Sequence, residues 1–387
     1  MTDIRPTWAE IDLRVFDRNL DAIAASVPGQ RVIALLKANA YGHGAVELAR
    51  RCTPEKVAMI GVALLEEALE LRNAGITTPI LVLGALSERQ VLAAIQHEVT
   101  MGVPGPEALE IVARVARERD VTIHLKLDSG MGRMGCIETE LPRVVELIRS
   151  APRLRIDALY THFANASDPS DPFTDEQVAR FKRMIATLRE SGIDAPLHHA
   201  ANSAATLRGI TPGDFVRTGI SLYGAEALDA PNVGQASACP TRSSRQGEAD
   251  GQAEACPTLT PVMRWRTAIA RLKELPPGHA VGYGATFVTT RPSLIATLPV
   301  GYADGYRRGL SNRGEVLVRG QRAPVVGRVS MDLTTIDVTD IQGVSTGDEV
   351  VLLGDGITAE ELAAKLDTIS YEVFCNVSAR VPRVYLS

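Results

Sequence analysis

Aromatic side chains are scarce in this sequence, at 4% of 387 residues, and there is no basic excess: 41 Lys and Arg face 46 Asp and Glu, a formal net charge of −5. Nucleic-acid binders usually gather a basic excess on one face, so a polyanion partner is not expected. No run is long and apolar enough to span a bilayer. The opening Met1-Thr2-Asp3-Ile4-Arg5-Pro6 lacks the apolar core of a secretory signal. Five cysteines, Cys52, Cys136, Cys239, Cys256 and Cys375, form no CxxC pair, and an odd number makes a poor disulfide framework. No metal site is expected, and a reducing cytoplasm is the expected compartment. What is present is a globular composition, 45% hydrophobic and 22% charged, long enough for one larger and one smaller core. A small-molecule substrate is expected.

From Arg31 to about Gly224, short apolar runs alternate with amphipathic stretches, the signature of parallel strands joined by helices. Strands are expected at 32–37, 57–62, 79–83, 99–103, 121–127, 156–162, 197–200 and 215–217, and eight is the number that closes a (β/α)₈ barrel of TIM type. Stretches 64–72 and 108–115 place apolar residues at helical spacing, with charges opposite. Between 227 and 257 the texture turns to Ala, Ser, Gly, Gln and Pro without periodicity, which reads as a surface insertion. Beyond it, strand-like runs at 266–270, 293–298, 314–318, 323–329 and 333–338, separated by turns such as Pro277-Gly278 and Arg319-Gly320, indicate a smaller, mostly β domain. The expected division is a barrel unit at 1–257 and a β unit at 258–387.

The unusual residues fall at strand ends. Arg31-Val32-Ile33-Ala34-Leu35-Leu36 reads as a buried strand that delivers Lys37 into the loop Ala38-Asn39-Ala40-Tyr41-Gly42-His43-Gly44. A lysine stripped of water there can lose its proton and form an imine with a carbonyl, although one that merely snorkels out of a strand end fits this stretch equally well. Lys126 through Arg133 closes the fifth strand and His162 the sixth. Asn202-Ser203 ends the seventh, and Arg217-Thr218-Gly219-Ile220 the eighth. Taken singly, His162 reads as a core histidine, Arg217 as an ion-paired surface group and Asn202-Ser203 as a helix N-cap. Their shared placement points elsewhere: an imine-forming lysine, amides and hydroxyls suited to a phosphate, and polar groups around a flat ring describe a pyridoxal phosphate site.

The stretches Leu36-Lys37-Ala38-Asn39-Ala40-Tyr41-Gly42-His43-Gly44, His124 to Arg133, Val281-Gly282-Tyr283-Gly284-Ala285-Thr286-Phe287, Pro299 to Gly305 and Gly327 to Asp332 resemble those of the alanine racemases. The resemblance runs from Trp8 to Arg383, interrupted at the insertion. It implies that Lys37 holds pyridoxal 5'-phosphate covalently and exchanges the α-proton on the D-alanine face, with Tyr283 serving the L-alanine face. Arg217 would face the pyridine nitrogen, with His162 beside it. Tyr41, Asn202, Ser203, Gly219, Ile220 and Tyr371 would bind the cofactor, mainly its phosphate. Arg133, helped by Met331, would hold the substrate carboxylate, and a carbamylated Lys126 would orient Arg133. It further implies a homodimer in which Tyr283 reaches the Lys37 of the other subunit, and a role in supplying D-alanine for peptidoglycan.

Three other readings share parts of this pattern. A single-barrel pyridoxal phosphate carrier would lack the β unit. A decarboxylase with the same two domains would pair the pyridine nitrogen with a carboxylate where Arg217 stands. A racemase acting on serine or larger amino acids differs only in pocket width, where one methylene is worth about 1–3 kcal/mol. A disulfide between Cys239 and Cys256 is geometrically possible, but a reducing cytoplasm disfavours it.

Overall fold

A computed structural model describes residues 5–228 and 257–387. The expected insertion falls almost entirely outside these residues, as do Cys239 and Cys256. Strand β1, Thr7–Asp12, is followed by a barrel of eight parallel strands: β2 Arg31–Leu35, β3 Met59–Val62, β4 Ile80–Val82, β5 Val99–Val103, β6 Val121–Lys126, β7 Leu154–Tyr160, β8 Leu197–His199 and β9 Phe215–Thr218. The barrel closes where β9 returns to β2, with Arg31 opposite Phe215. The strands are short and the first of them are mostly apolar because both faces are covered; every residue of β3 and β4 is buried. Helices fill the outer ring, the first being Leu13–Ser26. Asp12 caps it by accepting from the Arg14 and Val15 amides at 3.0 and 3.1 Å. Its Val15, Phe16, Leu20 and Ile23 are buried at helical spacing.

The second unit is mostly β, as expected. Its six-stranded sheet runs Gln321–Pro324, Glu315–Val318, Glu349–Leu353, Met263–Ala268, β1, Arg383–Leu386. A three-stranded sheet adds Arg271–Leu275, Ser293–Leu298 and Thr334–Asp337, and a small hairpin pairs Ala280–Val281 with Phe287–Val288.

One boundary differs from the sequence reading, which put everything before residue 257 in the barrel unit. Strand β1 lies inside the β unit's sheet, antiparallel to Met263–Ala268 and parallel to Arg383–Leu386. The reason is visible in its pattern: Thr7, Ala9 and Ile11 are buried while Trp8, Glu10 and Asp12 are partly exposed, the alternation of a strand covered on one face. Thr7 and Thr267 join hydroxyls at 2.8 Å, and Arg5 pairs with Asp304, which is wholly buried. The β unit returns to the barrel through the helix Ser370–Cys375. It packs so tightly over the loop after Lys37 that a Cβ on Gly42 would meet the Phe374 carbonyl oxygen at 2.4 Å. Among the described residues no helix is long and apolar enough to cross a membrane.

Candidate active site

Lys37 stands just beyond β2, and the chain after it does something L-residues rarely do. Ala38, Asn39, Ala40 and Tyr41 have φ of +52°, +53°, +53° and +53°, a left-handed helical turn that costs roughly 1–2 kcal/mol per residue. Strain of this kind persists only where its surroundings over-determine it. Here the Ala38 amide donates to Glu67 Oε1 at 2.6 Å, Ala40 N to Leu36 O at 2.7 Å, and Ala45 N to Asn39 Oδ1 at 2.8 Å. His43 Nδ1 lies 3.0 Å from both the Ala40 and Tyr41 carbonyl oxygens, so Nδ1 carries the proton. Burial pushes His43 down to about 3, which keeps it neutral. Its ring stacks on Tyr223 at 4.4 Å, and the Tyr223 hydroxyl donates to Leu35 O at the end of β2.

Burial lowers the proton affinity of Lys37, as do Arg133 and Arg217, against the opposing pull of Cys375 and Glu67. Beside it stands a cradle. The Tyr41 hydroxyl approaches Gly219 so closely that a Cβ there would sit 2.4 Å from it, so only glycine fits. The Gly219 amide donates to Ser203 Oγ at 2.9 Å, and Ser221 Oγ donates to the same atom at 3.0 Å. Ile220 opens the short turn Ile220–Tyr223. Asn202 Oδ1 accepts from Ala205 N at 3.0 Å, so its side chain caps the helix that carries Ser203. The Tyr371 ring lies 5.9 Å from that of Tyr41.

Across the barrel, Arg217 is 2% exposed, and its hydrogen-bond partners among the described residues are all neutral: His199 Nδ1 at 2.7 Å, the Thr161 and Ala200 carbonyl oxygens at 2.7 and 2.9 Å, and His162 Nδ1 at 3.2 Å. Burial pushes it down to about 10, so it stays charged near neutrality. An arginine only donates, which makes His199 Nδ1 and His162 Nδ1 acceptors. His199 Nε2 then donates to His124 Nδ1, 2.9 Å away. Burial, and next the Arg217 charge, hold both His162 and His199 well below the usual imidazole range. The Tyr160 ring stacks on His199 at 4.8 Å, with the Arg217 guanidinium 5.6 Å and Lys126 Nζ 5.9 Å from its centroid. Lys126 is pushed down to about 8 by burial, then by Arg217 and Arg133.

Lys37, Tyr41, Ser203, Gly219, Arg217, His162 and Lys126 therefore gather at one end of the barrel. Arg133 is exposed on the loop after β6, where Asp128 accepts from the Gly130 and Gly132 amides at 2.8 and 2.9 Å. Tyr283 and Met331 lie in the β unit, 72% and 54% exposed. Tyr283 occupies the turn of the small hairpin and lines an open hollow of about 450 Å³ with Arg328, and with Ser330 and Leu333, which flank Met331. The groups acting most on Lys37 do not include it. Sequence reasoning missed Glu67, His124, Tyr160 and His199 as participants. The last three had a signal, since a polar residue inside an otherwise buried strand needs a partner; Glu67 looked like any acid in the first turn of a helix.

The chain matches the family model for the alanine racemase N-terminal domain over residues 11–227 and that for the C-terminal domain over residues 262–385. It is 41% identical to an alanine racemase of Halothermothrix orenii over 98% of this chain and 97% of that protein. The chain belongs to the alanine racemase family. Solved alanine racemases share its shape throughout. That of Clostridium difficile 630 superposes with a TM-score of 0.87 at 35% identity, covering 98% of this chain and 96% of the other. That of Bacillus anthracis, solved with bound L-Ala-P, gives 0.87 at 35% over 100% and 96%. As a member of the alanine racemases the chain is an enzyme, an isomerase, and both of its units have counterparts in the family.

Proposed function

We propose that this protein interconverts L- and D-alanine with pyridoxal 5'-phosphate, in the cytoplasm, supplying D-alanine for peptidoglycan. The observation that carries the reading is the pairing at one barrel end of Lys37, eased toward its neutral form, with a cation, Arg217, whose hydrogen-bond partners among the described residues are all neutral. The residues fit the cofactor. The missing Cβ of Gly219 lets the Tyr41 hydroxyl close on the Ser203 cluster, a gathering of hydroxyls and amides that suits a phosphate; Tyr41, Ser203, Tyr371 and the backbone at Gly219 and Ile220 would hold it, the Gly219 amide turning from Ser203 Oγ to the phosphate, with Asn202 fixing Ser203. When bound, the cofactor supplies an electron sink that acidifies the α-proton of an amino acid.

The chain's own residues supply the rest. Lys37 Nζ takes or returns the proton on one face, and the phenol of Tyr283 acts on the other, because inversion needs a group on each side of the carbon. Arg217, a donor fixed by His199 and His162, would face the cofactor's ring nitrogen without giving it a proton, which would limit electron withdrawal and disfavour side reactions such as transamination. Arg133 clamps the substrate carboxylate with its planar fork, assisted by the Met331 backbone. Tyr283, Met331, Leu333 and Val288 are exposed apolar groups of the β unit, and in a head-to-tail homodimer they would face the barrel mouth of the partner. The test is incubation of the loaded protein with L-alanine and, separately, with L-serine in D₂O. Loss of optical rotation together with α-deuterium in both enantiomers is expected, whereas label in serine but not alanine would make this a serine racemase, and no exchange would sink the reading.

Lys126 is proposed to carry a carbamate, an anion that orients Arg133. Carbamylation needs the neutral amine, which grows as pH rises through the displaced value of about 8. Intact mass at ambient CO₂ should therefore show the adduct increasing from pH 7 to 9 and disappearing on acidification; an unmodified chain throughout would count against it.

A further inference from the structure

Glu67 reaches in two directions at once. Its Oε1 accepts the Ala38 amide at 2.6 Å, while Oε2 accepts the amides of Ala63 and Leu64 at 2.8 and 3.1 Å. The second pair is ordinary, since an acid in the first turn of the helix Leu65–Asn73 commonly reaches back to cap its start. The first is not: Ala38 is the residue next to Lys37, it opens the left-handed turn, and 29 positions of sequence separate it from Glu67. One carboxylate thus ties the loop leaving β3 to the peptide plane leaving Lys37.

We infer that Glu67 is a positioning residue for Lys37, holding the Lys37–Ala38 peptide so that the left-handed turn persists and the amine is aimed into the barrel mouth. The inference rests on the reading of Lys37 as the cofactor-bearing lysine. Three features make Glu67 the controlling contact. Apart from backbone bonds such as that from Ala40 N to Leu36 O, the turn is held from its far side, by His43 on the Ala40 and Tyr41 carbonyls and by Asn39 on Ala45, so among the described residues Glu67 is the side chain that hydrogen-bonds Ala38, the residue following the lysine. A bridging carboxylate has acceptors for all three amides, whereas a glutamine offers one acceptor and an amide group that would oppose an N–H. Finally, Glu67 is a negative charge near Lys37, set against the positive charges of Arg133, Arg217 and Lys126, with Cys375 and the buried His162 as further titratable neighbours. Glu67 therefore favours the protonated nitrogen.

The test uses the cofactor-loaded protein with Glu67→Gln, Glu67→Asp and, as control, Glu66→Gln on the adjacent exposed acid, which contacts Gln90. Glu67→Asp keeps the charge but falls a methylene short of bridging both loops. For both Glu67 variants we expect kcat to fall about 10- to 100-fold with KM within about twofold, as for a misaimed group that does not touch substrate. Amide hydrogen exchange should quicken across 38–44 and stay unchanged in the barrel strands. The pH midpoint of the visible band of the lysine-bound cofactor should move down in Glu67→Gln and less in Glu67→Asp, and Glu66→Gln should match the parent. Folded, loaded variants with parental kcat, exchange and midpoint would overturn the inference and leave Glu67 a helix cap. Failure of both variants to fold would also overturn it, by making the contact a determinant of folding. A parent protein that shows no lysine-bound cofactor band overturns the Lys37 reading itself, and this inference with it.

Discussion

Lys37→Ala is expected to lower alanine racemisation by about 10⁴-fold or more, with the barrel still folded. Lys37 makes no ion pair among the described residues and is only partly buried, so its truncation relieves a desolvated amine rather than opening a cavity. The informative comparison is Tyr283→Phe, which removes one hydroxyl from a residue that is 72% exposed. If the two groups serve opposite faces, its overall racemisation should fall to a similar extent while the faces separate. In D₂O, D-alanine should still acquire α-deuterium through Lys37 with its configuration retained, and L-alanine should not. Equal residual exchange from both enantiomers would mean that one group serves both faces.

The second large effect is a recovery. Mixed under conditions that exchange subunits, the two inactive proteins Lys37→Ala and Tyr283→Ala should regain about a quarter of parental activity. Half of the randomly paired dimers would be mixed, and each of those would hold one site with both groups intact. This outcome needs Tyr283 to work on the partner subunit's Lys37. If mass spectrometry detects mixed dimers and activity stays absent, sites shared between subunits are ruled out. The exposed set of Tyr283, Val288, Met331 and Leu333 gives the partner something to cover, and large apolar groups gathered on one unit commonly mark an interface.

Much of the barrel was legible because its strands are apolar runs at regular spacing, and the eight that the sequence suggests are the eight that close. The reactive end was legible for the same reason: polar residues stood where those runs stopped, and Lys37, His162, Ser203 and Arg217 did gather there. Strand β1 was misassigned through its position near the chain start, although Thr7-Trp8-Ala9-Glu10-Ile11-Asp12 already alternates as a half-covered strand does. The left-handed turn could not be read at all, since Ala38 and Ala40 are strong right-handed helix formers and the contacts that override them come from Glu67 and Phe374, far along the chain. Tyr283 was proposed only through resemblance; its own residues describe a tyrosine in a hairpin turn.

The place of β1 bears on how the protein is made. Residues 7–12 leave the ribosome well before their sheet neighbours, Met263–Ala268 and Arg383–Leu386, which follow some 250 and 370 positions later. During synthesis that segment must wait, both of its hydrogen-bonding edges unclaimed, while the barrel condenses behind it. Contacts of such long range slow folding and prolong the exposure of unpaired strand edges. A nascent chain halted before residue 263 would carry β1 as an orphaned strand, so a segment translated late completes one translated early.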